Sequence, residues 1–383
     1  MSFKEILYQL DDFTQIVLVI FGLMIIIQLV YYLLVYLRVV IRKDIFDNTL
    51  NNEFPPVSVI ICSRNEEENL RQNLIPVLEQ DYPVYEVIVV NNCSEDDTEV
   101  ILAEFKQKYP HLRSTIIKKD GSFLNHNKFA ATVGVKAAQY EWLLFTDADC
   151  RPESPQWIKS MSQYFIDNKS IVLGYSGYLP QKGYLNKCIR YDTCFTALQY
   201  LGFAMLGKAY MGIGRNLAYR KSLFFEHNGF AAHAHIITGD DALFVNKAAN
   251  KRNVAVKFNK IAHTRATAKT TLKKWIWQND RHTTLSKYYK PGQVFLLTLE
   301  PFSRLTAWTS FIILMIICPL WQYILLMFLL RMIVFISVIG LALKKFNEPG
   351  LLKHSVLFDF FMPFVHFYIF LLNRISSNNS KWK

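Results

Sequence analysis

Residues 14–37 carry no charged side chain, and this run limits the fold more than any other stretch. The hydrocarbon core of a bilayer takes about 20 apolar residues as a helix. Inside it a segment must satisfy its own backbone hydrogen bonds. The run therefore predicts a spanning helix over 14–37. It is too long for a signal peptide, and no small-residue cleavage site follows it. Lys4, Glu5, Asp11 and Asp12 precede the run, and Arg38, Arg42 and Lys43 follow it. By the positive-inside rule, residue 40 onward lies in the cytoplasm. A second apolar block, 303–343, is too long for one span and reads as a helix pair turning near Pro319. Arg331 lies inside it and needs a partner there. A third segment, 355–373, contains Asp359, Pro363 and His366, and reads as a transmembrane or interfacial helix. The expected location is the inner (plasma) membrane, multi-pass, with membrane lipids as partners.

The formal net charge is +12. The basic residues cluster beside the apolar segments, where anionic head groups attract them, so nucleic acid is not an expected partner. None of the six cysteines forms a Cys-x-x-Cys pair. That excludes the usual zinc patterns and a disulfide framework, and a reducing compartment fits such usage.

Between the apolar segments, residues 56–285 read as one soluble domain. Val57 to Ile61 is a β-branched strand, followed by a helix to about Glu79 with acids in its first turn. Tyr85 to Val90 is a second strand, Asn91 to Thr98 a polar loop feeding a helix, and Ser114 to Lys118 a third strand. Asn127 to Gln139 is a helix and Trp142 to Phe145 a fourth strand. Such alternation predicts an α/β fold with a doubly wound, mostly parallel sheet and a ligand at the carboxyl edge. Farther on, Pro152 to Asp167 reads as a helix, Ile171 to Tyr178 as one strand, and Lys187 to Gly207 as an aromatic stretch of the core.

The fourth strand ends in Asp147 and Asp149. Two carboxylates that close repel each other unless a cation lies beside them, and hard divalent ions such as Mg²⁺ or Mn²⁺ suit oxygen ligands. Gly212-Ile213-Gly214-Arg215-Asn216 offers close backbone approach to a ligand. Thr238-Gly239-Asp240-Asp241 places two acids before a helix. One acid suffices as a cap, which leaves the other for chemistry. Gln278 and Arg281, three apart, share a helix face.

Taken in order, these pieces resemble the family-2 inverting glycosyltransferases of GT-A fold, in their membrane-anchored form. The resemblance covers roughly residues 56–285, with one helix before and a membrane block after. It implies a nucleotide-sugar donor, held by Ser63, Asn65 and Glu66 of the first loop, Asn91 and Asn92 of the second, Lys128, Asp147, Gln278 and Arg281. It implies Mg²⁺ or Mn²⁺ on Asp149 and Asp147, and Asp241 as catalytic base with Asp240 as runner-up. Gly214, Asn216 and His282 would face the acceptor. The chain departs from the family twice. Asn91-Asn92-Cys93-Ser94 stands where the family has Asp-Asp-Gly-Ser, and His282 replaces the Trp of Gln-x-x-Arg-Trp.

The expected function is transfer of one sugar, from a UDP-sugar in the first instance, to a lipid or lipid-linked acceptor at the cytoplasmic membrane face. A processive polysaccharide synthase, with a glycan acceptor, is the alternative, weakened by the missing Trp. A nucleotidyltransferase would have little use for Asp241, and a non-catalytic scaffold none for three carboxylates.

Overall fold

Four β-rich runs build the centre of one of two compact units, residues 43–289: β1 (Val57–Ser63), β2 (Tyr85–Asn92), β3 (Leu112–Ile117) and β4 (Trp142–Asp147). All four are parallel, in the order β3-β2-β1-β4. β1, β2 and β4 are almost wholly buried, as strands covered on both faces must be. The sheet continues antiparallel through β8 (Leu217–Arg220) to β6 (Ile171–Gly174) and then β9 (Val254–Lys257), which is parallel to β6. It is thus a mixed, mostly parallel sheet of seven strands. Val59, Leu70, Val87, Ile101, Leu144 and Trp157 belong to its hydrophobic core. Each such side chain gains about 1.5–3 kcal/mol over an exposed one. This computed structural model describes residues 10–44, 54–118, 126–234, 236 and 238–376; the side chains of 126, 281–283 and 373–376 are outside that description.

A second, three-stranded sheet joins β5 (Cys150–Pro152), β10 (Thr264–Ala266) and β7 (Ser176–Tyr178), with β10 in the middle. Its formation corrects two readings of the sequence. β10 recruits Cys150–Pro152 into a strand, so the helix expected over 152–167 is confined to Trp157–Ser162. The single strand expected over 171–178 is broken at Tyr175, because its first half pairs in the large sheet and its second in the small one. The aromatic stretch expected in the core is the helix Tyr184–Met205, with Tyr191, Leu198 and Tyr200 buried.

Register decides what the carboxyl edge displays. Ser63 of β1 lies opposite Asn91 of β2, and Cys62 opposite Asp147 of β4. The polar residues that end these three strands are therefore neighbours on one edge.

The other unit comprises residues 1–42 and 290–383. Its helices are Asp12–Val30, continued by a π-helical turn Tyr31–Tyr36 and by Leu37–Ile41, then Pro291–Ile317, Trp321–Lys345 and Ser355–Ser376. Asp12–Ile41, Trp321–Lys345 and Leu352–Leu372 are long and apolar enough to cross a membrane. At its centre the Arg331 guanidinium donates to both Asp359 oxygens, to Gln28 Oε1 (3.0 Å) and to the Tyr32 hydroxyl (3.3 Å). Trp308 Nε1 also donates to Asp359, and Arg304 pairs with Glu300 at 3.3 Å. Two cations and two anions are thus buried together, each with partners of opposite charge.

Candidate active site

β4 ends at Asp147, a tight turn carries Ala148 and Asp149, and Cys150 opens β5. Ligand atoms of Asp147, Asp149 and Cys150 all lie within 4.8 Å of one another. Protein crowds Asp147 from most sides although solvent reaches it from the cleft. This desolvation, with Asp149 beside it and Arg215 opposing, pushes its carboxyl up to about 7. Such a group stays protonated near neutrality until a cation compensates it. The Cys150 thiol is buried, donates to Asp149 Oδ1 at 3.3 Å and is held well above its ordinary pKa by that burial. As a protonated thiol it is a poor ligand, so the donor set is two carboxylates and fits a hard divalent ion.

Asp240 and Asp241 open the helix Asp240–Ala248 after Gly239, whose left-handed backbone (φ 80°) turns the chain into it. A Cβ on Gly239 would stand 2.4 Å from a methyl of Leu285, so bulk is excluded there as well. Burial, then Asp240, then Asp147 hold the Asp241 carboxyl well above the usual range. Its ionised form is a stronger base than an ordinary carboxylate, and a cation beside it would favour that form. The Asp147 charge acts on Asp241, and that of Asp240 on Asp147, so the strand-end carboxylates and the acid pair lie near one another. Gly214 lies against the acid pair: a Cβ there would lie 2.0 Å from Asp241 Oδ2.

The expected donor residues divide. Glu66 faces the site, its carboxyl raised by burial, with Asn69 donating to it and Asp149 nearby. Ser63 is buried and donates to Val90 O. Asn65, at φ 55°, cross-links the loops: its N–H donates to Ser94 Oγ and its Oδ1 accepts from Glu95 N. Asn91 Oδ1 accepts from Ser94 N. Asn92 donates to Asn127, and its buried Oδ1 has no partner among the described residues. Gln278 donates to the Tyr178 hydroxyl at 2.8 Å. The side chains of Arg281 and His282 lie outside the described residues.

Two expectations do not match the geometry. Asn216, expected to face the acceptor, is wholly buried. Its Oδ1 accepts from Trp157 Nε1 (3.1 Å), and its Nδ2 donates to Tyr175 O (2.8 Å) and Ala262 O (2.7 Å). Both amide hydrogens and one acceptor site of the oxygen are used within the scaffold. Lys128, expected on the diphosphate, is buried and turns to the chain before the acid pair. It donates to the carbonyls of His233 (2.7 Å), Ile236 and Thr238 (3.5 Å), with Asp240 Oδ1 at 3.7 Å.

The sequence reading placed Arg215 only as part of the acceptor-side segment Gly214-Arg215-Asn216; the fold brings its charge to Asp147. Its guanidinium stacks 4.5 Å over the Tyr178 ring, its charge acts on Asp147, and its buried Nη1 has no partner among the described residues. The small sheet explains the placement, since Cys150, Ala266 and Tyr178 form one cross-strand row. The signal available in sequence was an arginine between two glycine-flanked positions and a buried strand, which is weak on its own.

Residues 58–226 match the family described as glycosyl transferase family 2. A stretch of 113 residues, 29% of this chain, is 36% identical to Glycosyltransferase AglE of Haloferax volcanii, of which it covers 35%. Another of 94 residues, 24% of this chain, is 33% identical to the poly-beta-1,6-N-acetyl-D-glucosamine synthase of Staphylococcus epidermidis, of which it covers 21%. The chain thus spans about a third or less of these two curated relatives. Among solved structures, the mannosyltransferase PcManGT from Pyrobaculum calidifontis, in complex with GDP-Man and Mn²⁺, superposes with a TM-score of 0.57 at 16% identity, covering 88% of this chain and 99% of that one. At that identity the likeness establishes the fold.

Proposed function

We infer that this chain, a glycosyltransferase by the family 2 domain at residues 58–226 and by its GT-A fold, moves one sugar from a nucleotide-diphosphate sugar to a lipid or lipid-linked acceptor at a membrane. The observation that carries this reading is the nearness of two sets of carboxylates. Asp147 and Asp149 supply the donor-side carboxylates, and Asp241 a base on the other side, close enough for the charges to act on each other. An inverting displacement needs both ends at once.

Asp149 and Asp147 would hold Mg²⁺ or Mn²⁺, which supplies charge compensation for the departing diphosphate. The solved mannosyltransferase, with GDP-Man and Mn²⁺, supports this choice of ion. Asp241 takes the proton of the acceptor hydroxyl as its oxygen bonds to the anomeric carbon. The bond from that carbon to the diphosphate oxygen breaks, and the pair of electrons leaves with the nucleoside diphosphate. Arg215, half-buried with its charge acting on Asp147, is the preorganised cation of this half of the site. Glu66 and the loops joined by Asn65, Ser94 and Asn91 border the nucleotide. Three helices able to cross a membrane support an acceptor presented at its surface, with the soluble domain in the cytoplasm.

Polymer synthesis is the second reading, favoured by the likeness to a poly-N-acetylglucosamine synthase. One experiment separates them. Detergent-solubilised membranes containing the protein are given labelled UDP- and GDP-sugars with Mn²⁺ or Mg²⁺. Single transfer predicts nucleoside diphosphate release with label in an organic extract. Label in insoluble polymer instead selects the synthase, and no release with any donor rejects both.

A further inference from the structure

Between β8 and the acid pair, the backbone receives side-chain donors from outside. Lys247 Nζ donates to His227 O at 2.9 Å, and nearer the acids the His233 carbonyl, which already accepts from Ile236 N at 3.0 Å, gains a second donor from Lys128. Lys128 reaches this segment from the helix His126–Ala137. An ammonium has three N–H donors. Those of Lys128 go to three carbonyls of the segment, His233, Ile236 and Thr238, while its charge lies beside Asp240. The helix that carries Lys128 sits close on the donor half of the sheet: a Cβ on its Gly134 would come within 2.7 Å of Ile60 and 3.2 Å of Val90.

We propose that Lys128 is a positioning residue, not a diphosphate ligand: it ties the 233–238 segment to the donor half of the sheet and so fixes Asp240 and Asp241 relative to Asp147. With its donors spent on carbonyls, the ammonium has no N–H left for a phosphate oxygen. The proposal deepens the inverting-transfer reading and rests on it for the role of Asp241, but its first test does not.

That test is amide hydrogen exchange on the full chain in detergent, comparing wild type with Lys128→Met and Lys128→Arg. Lys128→Met is expected to speed exchange over residues 230–242 by roughly tenfold or more while β1, β2 and β4 keep their protection. Lys128→Arg keeps the charge with a different donor geometry, and its exchange should fall between the two. With the nucleotide sugar that wild type turns over, Lys128→Met should lower kcat by about tenfold to a hundredfold and leave the donor KM within about twofold. Unchanged exchange over 230–242 in both variants overturns the proposal. So does a raised donor KM with kcat preserved, which would make Lys128 a donor ligand. A fully active Asp241→Asn variant would remove the base assignment yet leave the exchange result standing, so the two failures are told apart.

Discussion

Gly214 lies against the Asp241 carboxylate so closely that no side chain fits between them. Residue 214 therefore sets the clearance of Asp241, the proposed base. Gly214→Ala should drive Asp241 from its seat, with a loss in kcat of about a hundredfold or more. Steady-state kinetics beside circular dichroism checks it; an alanine variant with wild-type kcat would show that Asp241 has room to move.

Asn216 gives a contrasting expectation two residues on. Asn216→Ala strands the Trp157 indole N–H and two carbonyls in the interior. A loss of about 2–4 kcal/mol is expected at roughly 1–3 kcal/mol per unsatisfied buried group. The readout is a lowered Tm with an unchanged acceptor KM. A raised KM at undiminished Tm would return Asn216 to the acceptor site.

The Asp147 carboxyl, raised to about 7, gives the pH dependence a sign. Its pKa is higher folded than unfolded, so its contribution to apoprotein stability is full below the ordinary carboxylate range, and is lost as pH rises through about 7. Divalent metal demands the ionised form, so binding strengthens over the same interval. Thermal unfolding should show the Mn²⁺-induced rise in Tm growing from about pH 5.5 to about pH 7.5. Asp147→Asn should abolish that rise at every pH.

In the membrane-associated unit, Arg331 and Asp359 are both fully buried. Arg331→Leu leaves a carboxylate without its main counterion, at a cost of about 3–5 kcal/mol. The double variant Arg331→Leu/Asp359→Leu removes both charges and should be the more stable of the two. Unfolding in detergent orders the three proteins, and a double variant worse than the single one would refute the account.

The first four strands and the Asp147–Asp149 turn were legible because local chemistry alone decides them. Apolar β-branched runs such as Val57 to Ile61 form strands in any packed setting, and acids at a strand end reach the sheet edge whatever surrounds them. The misread parts depend on partners far along the chain. Cys150–Pro152 is a strand only because β10, more than a hundred residues later, pairs with it. Asn216 sits beside glycines that suggest an open loop, yet Trp157 and Tyr175 close over it. Lys128 was expected at the donor and Arg215 only within the acceptor-side segment; tertiary packing gives the first to the segment before the acid pair and sets the second beside Asp147.

The short turn 214–216 acts as a rivet with two heads, one bearing on the base and the other on the seam between the sheets. Its tolerance is one of length more than of composition. A single residue inserted between Gly214 and Asn216 would leave every strand free to pair, yet it would slide one head off its seat. Insertions here are thus expected to yield folded, inactive chains.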